Sequence, residues 1–244
     1  MEMKFYAISD IGKTRRVNQD SCGHHTAGDG LGFFIVADGM GGHNAGEVAS
    51  LATVNTFLDK AKLLHKIKSD EQAVNFIKGA FRRANDIILY KAAADASMAG
   101  MGTTAVAAIV TENNFIIGNI GDSRAYIISD EKIQQITEDH SYVAQLVKAG
   151  TIKEEEAKVH PKRNEITRAV GVELYREPDI FNCEYKKGDV LLLCSDGLDK
   201  MVDDDVILNI VLGENEPEQM CRKLVDEANA QGGLDNVTVL AVVL

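Results

Sequence analysis

The sequence lacks paired cysteines and an excess of positive charge, and each absence narrows the range of possible proteins. None of its four cysteines, Cys22, Cys183, Cys194 and Cys221, forms a Cys-x-x-Cys pair. Two of them lie in apolar runs typical of buried strands, so we expect reduced, structural thiols. The formal net charge is -11, which disfavours nucleic acid and membrane surfaces as partners because nothing attracts phosphate at long range.

The chain also lacks long apolar runs, repeats and linkers. No apolar run approaches the roughly 18 residues of a membrane span, and no basic segment followed by an apolar stretch opens the chain. We therefore expect a cytoplasmic protein. The absence of an internal repeat, a low-complexity tract or a linker predicts a single domain over residues 1–244, which we expect to be a monomer.

Hydrophobic patterning predicts strands in runs and helices in pairs. Strands are predicted over residues 4–9, 33–37, 104–110, 114–119, 124–128, 180–185, 190–194 and 237–244, the three central ones as an antiparallel meander. Helices are predicted over 44–64, around 74–88 and twice within 203–230. The polar stretch 139–168 is predicted to contain short helices and to form a flap. The polar, glycine-rich segment 22–32 is predicted to be a connection.

Because the helices come in pairs rather than singly between strands, we expect an α/β (α+β) fold rather than a doubly wound parallel sheet. Its two packed, mostly antiparallel β-sheets would be flanked by helices as an αββα sandwich.

Aspartate followed by glycine recurs where a buried strand ends. Asp38 follows an apolar run that begins at Phe33, and Asp196 follows another that begins at Val190. Asp-Gly is also a favoured turn dipeptide, and Asp29–Gly30, which no apolar strand precedes, is predicted to be only a turn. At 38 and 196 the strand would fix the carboxylate at a sheet edge, while the glycine lets the next carbonyl approach a cation.

Two further aspartates, Asp122 and Asp235, lie at the ends of predicted strands. Carboxylates held close together repel each other, so such a cluster costs stability unless divalent cations neutralise it. Hard oxygen ligands favour magnesium or manganese, without distinguishing the two. Arg15 offers a guanidinium that suits a phosphate, close in sequence to another carboxylate at Asp20. Each piece alone also fits an ordinary turn or polar loop.

Together, the pieces resemble the bacterial branch of the metal-dependent protein phosphatases, the type 2C or PPM family, from Ser9 to Thr238. The matching segments are 15–20, Val36-Ala37-Asp38-Gly39-Met40-Gly41-Gly42-His43, Gly102-Thr103-Thr104, Gly121-Asp122-Ser123-Arg124, Ser195-Asp196-Gly197-Leu198 and Asp235-Asn236-Val237-Thr238.

The resemblance implies a two-metal site. By it, Asp38 bridges both ions, the Gly39 carbonyl binds the second, and Asp196 and Asp235 complete the first. Asp122 with Asp196 matches a weaker third site.

The same resemblance implies roles around the metals. Arg15 holds the substrate phosphate, Asp20 orders a water at the metals, and Asn236 supports the site. His43 is the nearest candidate in sequence for the general acid that protonates the leaving oxygen, or else caps the following helix. Here the chain departs from eukaryotic relatives, which have a histidine where Met40 stands.

The implied function is hydrolysis of phosphoserine and phosphothreonine in proteins by a water between two manganese or magnesium ions, opposing a bacterial serine/threonine kinase. Two alternatives stay open at this point, namely a phosphatase of a small phosphorylated metabolite and a non-catalytic module that binds phosphoproteins. A cysteine nucleophile is excluded, because no cysteine is followed by arginine six positions later.

Overall fold

The fold comes from a computed structural model, which describes residues 3–28, 30–41 and 45–244. Three predictions fall on other residues. Asp29 of the predicted turn, His43 and the predicted helix start at Asn44 lie outside the described residues.

The described strands form two antiparallel sheets. In chain order they are β1 (Lys4–Asp10), β2 (Asp20–Ala27), β3 (Leu31–Met40), β4 (Gly102–Thr103), β5 (Ala105–Val110), β6 (Asn114–Ile120), β7 (Arg124–Ser129), β8 (Lys132–Gln135), β9 (Asp179–Glu184), β10 (Val190–Cys194) and β11 (Val237–Val243). One sheet has the order β1-β11-β10-β7-β8, and the other has the order β2-β3-β5-β6-β9, with β4 paired to β3.

Helices cover the outer faces of both sheets. The described helices are α1 (Gly46–Ala61), α2 (Asp70–Ala94), α3 (Tyr142–Lys148), α4 (Glu154–Lys158), α5 (Asp196–Asp199), α6 (Asp204–Leu212) and α7 (Pro217–Ala230), with a short 3₁₀ turn at Ala96–Met98. The pairs α1–α2 and α6–α7 pack on the sheets. The paired helices at 46–94 and 204–230 confirm the prediction, as do the short helices within 139–168. No helix in the described part of the chain is long and apolar enough to cross a bilayer.

Three apolar layers hold the sandwich together, and the central strands contribute to two layers each. In β3, Phe33 packs with the apolar faces of α1 and α2, whereas Phe34 points between the sheets. In β10, Leu192 packs with α6 and α7, and Leu191 meets the opposite sheet. Strands buried on both faces read as uninterrupted apolar runs, so the sequence shows them clearly. The predicted αββα sandwich is confirmed.

The segment 22–32, predicted to be a connection, instead contains most of β2. This strand pairs with β3 from Asp20 opposite Asp38 to Ala27 opposite Leu31. It lies at the edge of its sheet, and most of its residues are partly exposed. An edge strand needs no apolar run, which explains why the prediction was wrong.

The predicted three-stranded meander is also wrong. β5 and β6 are antiparallel neighbours, but β7 leaves their sheet and pairs with β8 and β10. The turn residues between β6 and β7 make a crossover, in which Gly121 has a φ of +110°. Polar turn residues predict a change of direction without specifying the next partner. Asp122 therefore lies in the connection through which the chain passes from one sheet to the other.

Candidate active site

The predicted carboxylates come from both sheets and converge at one end of the sandwich. Asp38 lies in the last part of β3, Asp196 begins α5 with one residue between it and β10, and Asp235 precedes β11. Burial raises the pKa of the Asp38 carboxyl well above its usual value, and repulsion raises it further. The repelling carboxylates belong to Asp20, Asp196, Asp122 and Asp235. Five carboxylates therefore share one electrostatic environment.

The end of β3 is fixed by neighbouring threonines. The Asp38 N–H donates to Thr104 Oγ1 at 3.0 Å, and the Asp38 carbonyl accepts from the Thr104 N–H at 2.9 Å and the Thr103 hydroxyl at 2.8 Å. Gly39 follows in a space without room for a side chain, since a Cβ there would overlap the Gly46 carbonyl. The Asp-Gly pair is thus held by close backbone contact rather than by a turn.

Asp20 is buried and has only one of its two oxygens paired. Its Oδ2 accepts from the Ser195 hydroxyl at 2.6 Å and from the Thr238 hydroxyl at 2.7 Å. These hydroxyls are oriented in turn, because Ser195 Oγ accepts from the Thr238 N–H at 2.9 Å and Thr238 Oγ1 contacts Ser9 Oγ at 2.7 Å. Asp20 Oδ1 has no hydrogen-bond partner among the described residues.

Asn236 joins the N-terminal loop to the site. Its Oδ1 accepts from the Gln19 N–H at 2.9 Å, and its Nδ2 donates to the carbonyls of Ile11 and Val17 at 3.0 and 3.1 Å. Its own N–H donates to Asp235 Oδ1 at 2.9 Å. The buried amide therefore uses both polar atoms to hold backbone, and the adjacent carboxylate is positioned with it.

Arg15 lies at the rim of the cluster. Its Nη2 donates to Asp235 Oδ2 at 2.7 Å, while the arginine side chain stays 53% exposed. The hydrogen bond to Asp235 raises the pKa of the guanidinium against the opposing effect of burial, and Asp196 and Asp38 contribute further attraction. A guanidinium in this position faces carboxylates and solvent together.

Lys200 was not predicted, and it lies between two of the carboxylates. Its Nζ forms an ion pair with Asp196 Oδ2 and lies 3.8 Å from Asp122 Oδ2. It also donates to Asn164 Oδ1 at 3.2 Å. Burial raises the pKa of Asp122 to about 7 together with repulsion from Asp196, and Lys200 opposes that rise. The signal available in the sequence was its position four residues after Asp196, the spacing at which side chains meet across a helical turn.

A second buried charge network supports α5. Arg124, at the start of β7, donates from Nε and Nη2 to Asp139 at 2.7–3.2 Å, and its Nη1 lies 3.1 Å from Asp199 Oδ2. The same Nη1 donates to the Tyr126 hydroxyl at 2.9 Å. This network ties the helix that begins at Asp196 to β7 and to the start of the predicted flap.

The donor set fits divalent cations. Asp196 Oδ1, like Asp20 Oδ1, is buried without a hydrogen-bond partner in the described part of the chain. Among residues 3–28, 30–41 and 45–244, no three His, Cys, Asp or Glu side chains are arranged as a metal site by themselves. Magnesium-like coordination uses few carboxylates and fills the other positions with carbonyl and water oxygens.

The structure thus brings together the predicted residues that it describes, and His43 lies outside them. The supporting hydroxyls of Ser195, Thr238 and Thr104 were not predicted as such. All three lie in the motif segments, which was the available signal, but only the fold shows which carboxylate or backbone group each one contacts.

A family model described as Protein phosphatase 2C matches residues 13–227. The serine/threonine phosphatase stp of Listeria monocytogenes is 38% identical over 234 residues, which span 96% of this chain and 93% of that protein. Protein phosphatase PhpP of Streptococcus pneumoniae is 37% identical over 240 residues, which span 98% and 97%.

Solved structures agree in fold over nearly the whole chain. The S. agalactiae serine/threonine phosphatase has a TM-score of 0.92 at 34% identity and covers 100% of both chains. The catalytic domain of the serine/threonine phosphatase PstP, in complex with two manganese ions, has a TM-score of 0.86 at 35% identity and covers 98% of this chain and 97% of that one. The chain therefore belongs to the protein phosphatase 2C family.

Proposed function

We propose that the chain hydrolyses phosphoserine and phosphothreonine in proteins with a pair of divalent cations, manganese or magnesium, held at the junction of its sheets. The observation that carries this proposal is the convergence of Asp38, Asp196 and Asp235 at the ends of separate strands, with buried oxygens of Asp196 and Asp20 left without hydrogen-bond partners among the described residues. Membership of the protein phosphatase 2C family supports the reaction class.

In this proposal Asp38 would contribute to the binding of both cations, the Gly39 carbonyl would bind one, and Asp196 with Asp235 would hold the other. When bound, the cations lower the pKa of a water and stabilise the charge that develops on the phosphoryl group. The presence of two manganese ions in the related PstP structure supports this metal and this number.

The chain's own residues would orient the reactants. Arg15, at the solvent side of the cluster, would bind the phosphate with its planar guanidinium. Asp20 would accept a hydrogen bond from the attacking water through Oδ1, because Oδ2 is already taken by Ser195 and Thr238. Asn236 would hold the loop that carries Arg15 in place by its hydrogen bonds to the loop backbone. His43 stays a prediction for the proton donor.

Phosphorylated proteins are the proposed substrates, and a serine/threonine kinase is the proposed partner among them. The relatives named serine/threonine phosphatase support protein substrates over small metabolites. The cytoplasmic location and the monomeric state stay predictions from the sequence.

The test is a phosphatase assay on a phosphothreonine peptide and on an aryl phosphate, with manganese and with chelator. We expect phosphate release with manganese, its loss in chelator, and its loss by at least about a hundredfold in Asp38→Ala, because the carboxylate shared by both cations disappears. Asp59→Asn, a change at a 71% exposed aspartate on α1, is the matched control and should keep full activity.

Activity that survives both chelator and Asp38→Ala would overturn the mechanism. Turnover of small phosphate esters without any phosphopeptide would favour the metabolite alternative. Tight phosphopeptide binding in calorimetry without phosphate release would favour the binding module.

A further inference from the structure

We propose that Lys200 is a built-in cation that takes the place of a third metal ion between Asp122 and Asp196. The inference rests on the proposed function, because it concerns the number of cations that the carboxylate cluster accepts. It makes Lys200 a residue that determines metal stoichiometry rather than a catalytic residue.

Three oxygens surround the Lys200 ammonium group. Asp196 Oδ2 forms the ion pair, Asn164 Oδ1 accepts at 3.2 Å and Asp122 Oδ2 lies at 3.8 Å. Two carboxylates and an amide carbonyl are the hard oxygen ligands that a divalent cation would use. The ammonium group therefore lies where such an ion would bind.

The two carboxylates are shielded from solvent, so their charge is weakly screened. The side chains of Asp122 and Asp196 are 8% and 13% exposed, and that of Lys200 is 29% exposed. The ammonium group therefore supplies positive charge to two carboxylates that solvent reaches poorly.

The backbone holds Lys200 close to this position. Its N–H donates to the Asp196 carbonyl at 3.0 Å, so it caps the single turn of α5. Leu198 of that helix is fully buried. Gly197 lies against Asn236 so tightly that a Cβ would overlap the Asn236 carbonyl. A third ion would therefore have to displace an ammonium group that is anchored beside its would-be ligands.

Lys200 also connects the predicted flap to the carboxylate cluster. Asn164 belongs to the segment 139–168 predicted to be a flap, and Lys200 joins it to Asp196 at the metal centre. The lysine thereby links that segment to the cluster without a metal ion between them.

Manganese stoichiometry tests the proposal. Isothermal titration calorimetry, with bound manganese measured after gel filtration, would compare wild type with Lys200→Gln and Lys200→Arg. We expect Lys200→Gln to gain about one ion per chain, with an apparent Kd for that ion at least about tenfold lower than any third binding event in wild type. Lys200→Arg keeps the charge and should keep the wild-type count.

Two further variants make the assignment specific. Lys158→Gln removes the same charge from a 75% exposed lysine paired with Asp203, and it should leave the count unchanged. Asp122→Asn should leave the wild-type count unchanged but abolish the extra ion of Lys200→Gln.

Three results would overturn the inference. These are a wild-type chain that binds three ions with similar affinity, a Lys200→Gln chain that gains none, and a gain of equal size in Lys158→Gln. A wild-type chain that binds no manganese at all would overturn the proposed two-metal function as well, so the two failures are distinguishable.

Discussion

Arg15 and Lys200 both pair with carboxylates of the site, but they are held very differently. Arg15 makes one ion pair, to Asp235, and is 53% exposed, whereas Lys200 contacts three oxygens and is 29% exposed. An exposed ion pair contributes little to stability and exchanges readily with another partner. Arg15 is therefore placed to turn toward an incoming phosphate, while Lys200 is placed to stay.

Replacing Arg15 should affect substrate binding far more than folding. In Arg15→Ala we expect KM for a phosphopeptide to rise by about tenfold or more, since charge-assisted hydrogen bonds to phosphate are lost. The free energy of unfolding should change by less than about 1 kcal/mol, because the lost ion pair is half exposed. Steady-state kinetics and urea unfolding measure the two quantities. Arg16→Ala, at the adjacent exposed residue, is the control, and an unchanged KM in Arg15→Ala would contradict the assignment.

For single residues, the sequence predicts the proposed metal ligands better than the side chains that hold them by hydrogen bonds. Asp38 and Asp196 stand out because an apolar strand precedes each and a glycine follows. The hydrogen bonds of Asp20 join residues 20, 195 and 238, which no local pattern connects. Asp235 is predicted mainly from the resemblance of its motif, because no apolar strand precedes it in the loop before β11.

Among the elements, the crossover from β6 to β7 is held by one buried histidine. His140 Nδ1 accepts from the Gly121 N–H at 3.0 Å, and its Nε2 donates to Asp179 Oδ2 at 3.0 Å. This pattern requires a neutral ring with its hydrogen on Nε2. Burial lowers the pKa of His140 and Arg168 lowers it further, against the opposing effects of Asp179 and Asp139. The pair with Asp179 is thus a hydrogen bond rather than a full ion pair.

The neutral His140 ring makes the free energy of unfolding depend on pH. Because the folded pKa of His140 lies below that of the unfolded chain, about 6.5, the unfolded state binds more protons below that pH. The free energy of unfolding therefore falls as the pH drops through 6.5, by at most about 1.4 kcal/mol per unit from this group.

His140→Ala should remove this contribution. We expect it to lower the free energy of unfolding by about 1–3 kcal/mol at pH 7, since the Gly121 N–H loses its acceptor. The difference from wild type should be smaller at pH 5.5, where the wild-type histidine contributes less. Urea unfolding at both pH values measures this, with His65→Ala at an exposed histidine as control. An equal difference at both pH values would contradict the neutral ring.

The elements themselves were predictable to different degrees. Periodicity reports burial, so strands buried on both faces, such as β3 and β10, and the long helices were found. The edge strand β2 has too little burial to leave a pattern. The partner of β7 depends on contacts far along the chain. The sequence therefore predicts a meander in place of the crossover that positions Asp122.

Across the whole molecule, an acidic chain concentrates like charges where its two sheets meet. Burial raises the pKa of Asp20 to about 7, hydrogen bonds from Ser195 and Thr238 oppose the rise, and repulsion from Asp196 and Asp235 adds to it. Without metal, the folded state therefore holds protons that the unfolded chain releases near pH 4. The folded state binds more protons between about pH 4 and 7, so the free energy of unfolding falls as the pH rises through that window.

Asp38→Asn tests two consequences of this crowding, namely the lower stability without metal and the binding of cations. In chelator at pH 8 we expect the variant to be more stable than wild type by about 1 kcal/mol or more, because the carboxylate that its neighbours repel is gone. Manganese should stabilise wild type by about 2.7 kcal/mol at a hundredfold excess over Kd, and should not stabilise the variant. Urea unfolding with and without manganese measures both, with Asp59→Asn as control. A variant that is weaker in chelator yet stabilised by manganese like wild type would mean that Asp38 serves packing rather than cations.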